Sequence, residues 1–555
     1  MDGWMDGWMD IKLRWLTDPV SRLSRCERMF FVVLFSFLVV RQSLWALINP
    51  MFQAPDETAH LLMVAQIDKN GLGFYKDQNA TVWKSFESSV HFHEDYYRQK
   101  GIEARADRIP PYVPRSRWAS QEKETLHVAG FDKDEGTDTW RHAIFTYPPL
   151  YYYTTAKLLS LLRLVKPTLI TYQFAARLFG VGFYLAFILV LTLLGFKLFD
   201  GMIKYFFVAM IVFHPMFTFM TSVCNNDIPL FPLSALLFLG VAEVLRQGMD
   251  GKIYALLLIT SLLSTLTKAQ GFLLGSIVLL FLCFVSLWKK DRRASLYLGI
   301  GLLGNGVLYL MLPLLTGDLR LNGAPDPMGL IEYIGFLFEE GGWMLLAGTL
   351  GMFAWYEVKF GPLVYHSFSC ISSAFAILGI VLVVRCVRNR FSNWRENTLV
   401  FLFGVYLTYL FAGLAYQFTK MAQIGFFIQG RYFLSAFPVM YLVATYLLKW
   451  PFSTRHGESN GIGLLLALVT TGCLVYLNNW GLYLIIRRFY VTPGVAPLEV
   501  VNRIMQYKPA FFKSDIVFYG LVTYCFVSQA FIVWSLLKAA LRGVGLRRLL
   551  LSPSG

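Results

Sequence analysis

Apolar runs of about twenty residues alternate with short polar segments along most of the chain. About twenty apolar residues in a helix are enough to cross the roughly 30 Å hydrocarbon layer of a bilayer. The pattern predicts twelve transmembrane helices, at 29–48, 177–198, 204–223, 228–245, 253–266, 271–288, 295–315, 362–384, 398–417, 432–448, 462–485 and 516–541. An even number of crossings places both termini on the same side of the membrane.

Basic residues predict the orientation of these spans. With the amino terminus in the cytoplasm, the cytoplasmic segments hold 23 lysines and arginines, and the opposite segments hold 10 when the long first loop is left out. Lysine and arginine accumulate in short cytoplasmic loops, whereas long loops do not follow this rule. We therefore predict that both termini are cytoplasmic and that the first loop is periplasmic.

One further segment, 147–165 (YPPLYYYTTAKLLSLLRLV), is apolar enough to suggest a thirteenth span, yet it contains Lys157 and Arg163. Counting it as a span would invert every later loop and would move the basic clusters KKDRR and RCVRNR to the outer side. A tyrosine-rich amphipathic helix suits the membrane interface. The segment is therefore predicted to be an interfacial helix on the outer face.

The predicted architecture is an all-α polytopic membrane protein with about twelve transmembrane helices, a large first periplasmic loop and interfacial helices. Its predicted segments are a cytoplasmic amino-terminal segment (1–28), the first span (29–48), a periplasmic loop or subdomain with the interfacial helix (49–175), a transmembrane core (176–448), carboxyl-terminal helices (449–541) with an outer loop (487–513), and a cytoplasmic tail (542–555).

Composition supports the membrane class. Hydrophobic residues make up 56% of the chain and charged residues 15%, against about a quarter charged in soluble domains. The net charge of +15 fits cationic cytoplasmic loops that meet anionic headgroups, and no nucleic-acid recognition motif accompanies it. Membrane lipids are therefore expected partners and nucleic acid is not. The seven cysteines avoid the long loop and form no CxxC pair, which argues against a disulfide framework or structural zinc.

The sequence APDETAH follows the first predicted span and combines Asp56, Glu57 and His60. In a helix, residues three and four apart share a face. Carboxylates beside a histidine can act as a general base or bind a divalent cation such as Mg²⁺ or Mn²⁺. The ordinary alternative is that the two acidic residues cap the helix and complement its dipole.

A second polar motif, CNNDIPL, contains Asn226 and Asp227 in a short outer loop. These residues either cap the following helix or form a polar cluster that faces the same cavity as Asp56. The sequence leaves both alternatives open.

Three cations lie at outer ends of apolar runs, against the cytoplasmic bias: Arg177, Lys268 and Arg431. Charge near a membrane span marks a functional hypothesis, and phosphate recognition suits a guanidinium fork and a lysine point charge. Gly430 would let the backbone approach closely beside Arg431. The alternative is that these side chains extend to outer headgroups.

A histidine-rich stretch in the long loop, HFHED, has the composition of a metal site at His91 and His93. It has no partner motif at a second fixed spacing, and a solvated loop is favoured.

Six short motifs follow one another in a characteristic order: PDE-x-x-H, Tyr-Pro-Pro-Leu-Tyr-Tyr, Ala-Arg-Leu, Asn-Asn-Asp, Lys-x-Gln-Gly and Gln-Gly-Arg-Tyr. This order, from about residue 50 to residue 438, resembles the bacterial membrane-protein family named "domain of unknown function 2142", which is similar to the GT-C glycosyltransferases. Such enzymes use polyprenyl-phosphate-linked sugars as donors and carry an essential acidic residue in the first outer loop.

The resemblance implies a GT-C-like fold in the bacterial inner membrane, with Asp56 as the catalytic base and Glu57 as its helper. The tentative metal ligands are Asp56, Glu57 and His60. The residues expected to bind the donor phosphate or substrate are Arg431, Lys268, Arg177, Gln429, Tyr432, Asn226, Asp227 and Tyr152.

The resemblance also implies a reaction: an inverting transfer of sugar from a polyprenyl-phosphate donor to a cell-envelope glycan or lipid acceptor. A transporter or flippase of lipid-linked sugars is the first alternative, and it predicts acidic residues along a path inside the spans. An O-antigen-type polymerase or ligase is the second, although such proteins usually carry their large outer loop late in the chain. A non-catalytic assembly scaffold is the third.

Overall fold

The computed structural model of the protein describes residues 24–77, 80–81, 115–120, 122, 139–140, 147–161, 168–316, 329–354, 358–424, 429–449, 461–491, 494 and 496–543. The HFHED stretch, the amino-terminal 23 residues and most of the first loop lie outside these ranges. The described chain is helical apart from turns and two antiparallel pairs of two-residue strands, β1 (Ala80–Thr81) with β2 (Thr139–Trp140), and β3 (Met352–Phe353) with β4 (Val358–Lys359).

Nine helices of the described chain are long and apolar enough to cross a membrane, so the chain is a multi-pass integral membrane protein. They are α1 (Arg25–Ile48), α5 (Leu169–Leu198), α8 (Leu230–Gln247), α10 (Ala269–Trp288), α11 (Arg292–Thr316), α14 (Pro362–Arg388), α15 (Trp394–Ile424), α17 (Gly461–Tyr490) and α19 (Asp515–Gly543). All nine coincide with predicted spans.

Three predicted spans are shorter than a full crossing. They are α6 (Ile203–Val212), α9 (Gly251–Thr265) and α16 (Pro438–Lys449). The first is cut by Pro215, because proline cannot donate the backbone hydrogen bond that would continue the helix. The chain resumes there as α7 (Pro215–Met220), with His214 as its N-cap. The prediction of twelve full-length spans therefore exceeds the count in the described chain by three, although each predicted segment is helical.

Shorter elements cluster where α1 ends and α5 begins, which we name the loop-side end. The helices among them are α2 (Glu57–Asn70), α3 (Phe74–Asp77), α4 (Leu150–Ser160), α12 (Leu330–Phe336), α13 (Gly342–Leu350) and α18 (Pro497–Met505). Tight helical turns occur at Gly71–Gly73, Arg115–Arg117, Leu337–Gly341, Gly430–Phe433 and Ala510–Lys513. With 11 residues, α4 is about 16 Å long, and it belongs neither to the nine long apolar helices of the described chain nor to its shorter apolar helices.

The opposite end of the bundle is held by ion pairs between helix ends. Lys197 pairs with Glu243 at 2.6 Å, which joins α5 to α8. Arg395, at the start of α15, pairs with Asp200 just after α5. The start of α15 therefore lies beside the end of α5, away from the loop-side elements.

Candidate functional site

A fully buried ion pair forms the base of the loop-side end. Arg177 on α5 donates from Nε and Nη2 to the two carboxylate oxygens of Glu57, at 2.7 and 2.6 Å, and both side chains are 0% exposed. Glu57 also accepts from the backbone N–H of Cys224 at 3.0 Å and from Gln173 Nε2 at 3.3 Å. Each carboxylate oxygen thus accepts two hydrogen bonds from the protein.

The remaining donors of Arg177 hold the carboxyl-terminal end of α1. Its Nη1 donates to the carbonyls of Ala46 and Asn49, at 2.8 and 2.7 Å, and its Nη2 donates to that of Pro50 at 2.7 Å. A guanidinium has five N–H donors, and all five are in use. The last carbonyls of a helix need such partners. This geometry favours a structural role for Arg177 and Glu57 over the predicted contacts with substrate.

Asp56 is oriented differently from its neighbour. Its backbone is left-handed, with φ of +60°, and it precedes α2 without making a side-chain cap hydrogen bond. Its carboxylate accepts from Arg431 Nη2 at 2.6 Å and remains 27% exposed. Non-glycine residues in this conformation carry backbone strain, which concentrates at functional sites. Asp56 is thus the N-cap residue of α2, and its side chain makes no cap hydrogen bond to that helix.

Arg431 is positioned by a contact between two backbones. It lies in the turn Gly430–Phe433, where a Cβ on Gly430 would stand 2.1 Å from the carbonyl oxygen of Leu345 in α13. A Cβ on Gly348 would in turn lie 2.9 Å from the backbone nitrogen of Gly430. The backbone at Gly430 therefore lies directly against α13, and this contact fixes the turn that carries Arg431.

The ion pair of Lys268 with Asp227 lies beside the ion pair of Arg431 with Asp56. Lys268, the residue before α10, donates from Nζ to Asp227 Oδ1 at 2.5 Å, and both side chains are buried. Asp227 is held in its turn because its backbone N–H donates to Asn225 Oδ1 at 2.8 Å. Its second carboxylate oxygen, Oδ2, is buried and has no hydrogen-bond partner among the described residues.

Two tyrosines lie between the ion pairs. The ring of Tyr432 is 4.8 Å from Lys268 Nζ and 5.4 Å from Arg431 Cζ. The ring of Tyr147 is 5.6 Å from the same lysine nitrogen. Asp56, Arg431, Asp227 and Lys268 are thus brought together around two aromatic rings, as expected if the CNNDIPL cluster faces the same cavity as Asp56.

The sequence predictions missed Tyr147. It is the first residue of the Tyr-Pro-Pro-Leu-Tyr-Tyr motif, where Tyr152 was selected instead, and its place in that motif was the available signal. Burial raises the pKa of Tyr147 well above its usual value, the neighbouring Tyr432 and Asp56 raise it further, and Arg431 opposes them. The phenol therefore remains protonated and is a neutral hydrogen-bond donor at the site.

The predicted metal ligands point to different partners. His60 Nδ1 lies 2.7 Å from the hydroxyl of Tyr152, whose ring stacks on the imidazole, while Asp56 and Glu57 face separate arginines. Within the described ranges, no three histidine, cysteine or acidic side chains gather as a metal site would require. In this structure the hydroxyl of Tyr152 is hydrogen-bonded to His60, and its contact with substrate stays a prediction.

The remaining predicted residues flank the ion pairs in sequence. Asn226 precedes Asp227 and is fully buried, and neither its amide oxygen nor its nitrogen has a partner in the described structure. Gln429 precedes Gly430, and its buried Oε1 likewise accepts no bond from the described residues. Buried amides without partners are costly, so both retain hydrogen-bonding capacity for another molecule.

An apolar groove of about 230 Å³ begins beside the two cations. It lies between α10, α11, α15 and the turn that carries Arg431, and its walls are mainly aromatic. The lining residues are Ala269, Gln270, Phe272, Leu273, Tyr309, Tyr409, Gly413, Tyr416, Tyr432 and Phe433. Ala269 and Tyr432 directly follow Lys268 and Arg431, so the charged and apolar surfaces are continuous.

Comparison with solved structures finds similarity to the crystal structure of the Archaeoglobus fulgidus oligosaccharyltransferase, in complex with Zn and sulfate. The match has a TM-score of 0.42 and 12% sequence identity, and it covers 80% of this chain. This chain spans about half of that structure, 52%. No curated protein matches the sequence.

The ordered motifs that carry the site residues lie within one family model. The model described as "Predicted membrane protein (DUF2142)" matches residues 37–443, which is most of the chain. This range includes both the Arg431–Asp56 pair and the Lys268–Asp227 pair. The chain therefore belongs to the DUF2142 family of membrane proteins.

Proposed function

We propose that this protein is a membrane glycosyltransferase that moves a sugar from a polyprenyl-phosphate-linked donor to a glycan or lipid acceptor of the cell envelope. One observation carries the proposal: Tyr432, which lines the apolar groove, lies 4.8 Å from Lys268 Nζ and 5.4 Å from Cζ of Arg431, the partner of the partly exposed Asp56 carboxylate. A lipid-linked sugar phosphate has a matching order of parts: an apolar chain, an anionic phosphate and a sugar.

The charge of the site favours a donor with one phosphate. Each cation is already paired with a carboxylate, Arg431 with Asp56 and Lys268 with Asp227, so the four charges sum to zero. A phosphodiester donor adds one negative charge to this neutral set, whereas a diphosphate donor adds two. The neutral phenol of Tyr147 adds a hydrogen-bond donor without adding charge.

The proposed reaction is a single displacement. The acceptor hydroxyl lies against Asp56, which takes its proton as the oxygen attacks the anomeric carbon. The bond between that carbon and the phosphate oxygen breaks, and polyprenyl phosphate leaves with the bonding electrons. Arg431 and Lys268 stabilise the charge that grows on the leaving oxygen. A single displacement inverts the anomeric configuration, and the acceptor hydroxyl takes the place that the attacking water has in inverting glycoside hydrolysis.

We further propose the bacterial inner membrane as the location, a GT-C-like arrangement of twelve crossings, and a periplasmic loop-side end. In this arrangement the three short apolar helices provide the remaining three crossings. A Mg²⁺ or Mn²⁺ ion stays a prediction. Protein N–H groups already donate to both carboxylate oxygens of Glu57, so the proposed reaction includes no metal ion.

The test replaces Asp56 with asparagine, which keeps the size of the side chain and removes the base. Purified protein in liposomes receives a polyprenyl-phosphate-linked hexose with a radiolabelled sugar, together with a cell-envelope extract as acceptor. Transfer by Asp56→Asn should fall at least about 100-fold, the usual contribution of a general base. The matched control is Asp200→Asn, which also removes a carboxylate paired with arginine but at the opposite end of the bundle.

Full transfer by Asp56→Asn would remove Asp56 from the mechanism. If wild type and variant both move the labelled donor across the bilayer and neither transfers its sugar, the protein is a flippase of lipid-linked sugars instead.

A further inference from the structure

A lysine from the carboxyl-terminal part of the chain is buried beneath the site. Lys508 lies between α18 and α19, beyond residue 443, where the family match ends. Its Nζ donates to the carbonyl of Asn49 and to the hydroxyl of Tyr490, each at 3.3 Å. It also lies 4.9 Å from the centre of the Phe174 ring. A buried lysine needs a reason, since lysine is almost never fully buried without a partner.

Lys508 is buried because it binds the carboxyl-terminal end of α1. The carbonyl of Asn49 accepts from both Lys508 and Arg177, and the carbonyl of Ile48 accepts from Tyr490 at 2.6 Å. Side chains from α5, α17 and the carboxyl-terminal segment therefore converge on the last turn of one helix. The chain leaves that turn toward Asp56 through Phe52, whose φ is also left-handed at +59°.

The first loop is fastened to the same carboxyl-terminal segment. Glu122 accepts from the backbone N–H of Tyr507 at 3.1 Å and from Lys513 Nζ at 2.7 Å. Arg115 donates to Asn502 at 2.8 Å and pairs with Asp515. These contacts hold the backbone immediately before Lys508, and Tyr507 itself has a left-handed φ of +55°.

We propose that Lys508 is a positioning residue for Asp56. It acts from a carboxyl-terminal segment that lies outside the family match, and Glu122 of the first loop holds that segment in place. It supports the turn 49–56, in which the left-handed residues Phe52 and Asp56 aim the Asp56 carboxylate at Arg431. The proposal rests on the proposed function only in naming Asp56 as the group that reacts.

The surroundings of Lys508 fit this role. Its nitrogen donates to two acceptors. Burial lowers the pKa of Lys508 well below its usual value, and the charge of Arg177 lowers it further, while Glu57 raises it. The Lys508 nitrogen and the Arg177 guanidinium share the Asn49 carbonyl as their acceptor.

The first test measures backbone protection and needs no substrate. Lys508→Met keeps the length of the side chain and removes both hydrogen bonds. Amide hydrogen–deuterium exchange of residues 49–56, followed by mass spectrometry on the purified protein, should accelerate about tenfold, the effect of losing one buried hydrogen bond. Exchange in α10 and α11 should not change. The matched control is Lys289→Met, an exposed lysine at the end of α10, which should leave 49–56 as in wild type.

Unchanged exchange of 49–56 in Lys508→Met would overturn the proposal. If that variant does not fold, Glu122→Gln replaces it: the amide keeps one bond to the backbone of Tyr507 and loses the ion pair with Lys513. It should accelerate the same residues to a smaller extent, and the absence of any effect would count equally against the proposal.

The second test uses the transfer reaction and separates positioning from mere stability. A misplaced base lowers kcat and leaves the KM for the donor unchanged, because the groove and its cations are intact. If Asp56→Asn transfers normally while Lys508→Met loosens residues 49–56, the proposed function fails and the support of this turn stands. If Asp56→Asn is inactive and Lys508→Met matches wild type in exchange and kcat, the positioning role fails alone.

Discussion

Arg177→Met removes the guanidinium that neutralises Glu57, whereas Arg431→Met removes the guanidinium that neutralises Asp56. The first change leaves a carboxylate at 0% exposure, and breaking a buried pair in this way costs about 3–5 kcal/mol. Three carbonyls at the end of α1 also lose their donor. Each carbonyl that is left without a hydrogen-bond partner lowers the unfolding free energy by about 1 kcal/mol. We expect Arg177→Met to lose about 5 kcal/mol or more of unfolding free energy.

Arg431→Met should cost much less stability, because the Asp56 carboxylate is 27% exposed and water can solvate it. A partly exposed pair contributes about 1 kcal/mol or less. The assay is unfolding of both purified variants in the same detergent, followed by tryptophan fluorescence. A loss below about 1 kcal/mol for Arg177→Met, or equal losses for the two variants, would refute the division into a structural and a functional pair.

Three further variants test particular contacts. Gly430→Ala would place a Cβ 2.1 Å from the Leu345 carbonyl, so we expect the turn to shift and donor transfer to fall about 100-fold, while Gly304→Ala, which has open space around it, should transfer normally. Tyr147→Phe should lower kcat about tenfold or more through loss of a donor to the leaving phosphate, and an unchanged kcat would remove the phenol from the mechanism. Because the pKa of Lys508 is lowered in the folded state, the unfolded chain binds more protons between that lowered pKa and about 10.5. The stability of wild type relative to Lys508→Met should therefore rise with pH in that window, and a flat difference would indicate an ordinary lysine.

Hydropathy predicted the helices well because a bilayer allows few alternatives for the backbone. The count of basic residues, and not hydropathy, argued against 147–165 as a span, since a span there would have reversed every later loop. Hydropathy could not predict where a helix breaks inside the protein. Segment 204–223 is apolar throughout, yet Pro215 divides it into α6 and α7. The apolar run continues across the break, so composition alone predicts one span.

The cations of the site could be selected from sequence because they violate the cytoplasmic bias of basic residues. Their partners could not, because Arg431 and Asp56 are 375 positions apart and Arg177 and Glu57 are 120 apart. Lys508 was missed for a related reason. It follows a short amphipathic helix in an outer loop, where a lysine normally faces water, and its burial depends on contacts with Asn49 and Tyr490.

The two adjacent acidic residues show why spacing on a helix misled the prediction of their partners. Helical periodicity paired both Asp56 and Glu57 with His60, as if α2 began before Asp56. The left-handed φ of Asp56 instead ends the preceding turn and starts the helix one residue later. Glu57 therefore points into the bundle toward Arg177, and Asp56 points across it toward Arg431. One backbone angle thus directs two adjacent carboxylates to two different arginines, and the support of that angle by Arg177 and Lys508 is part of the chemistry we propose.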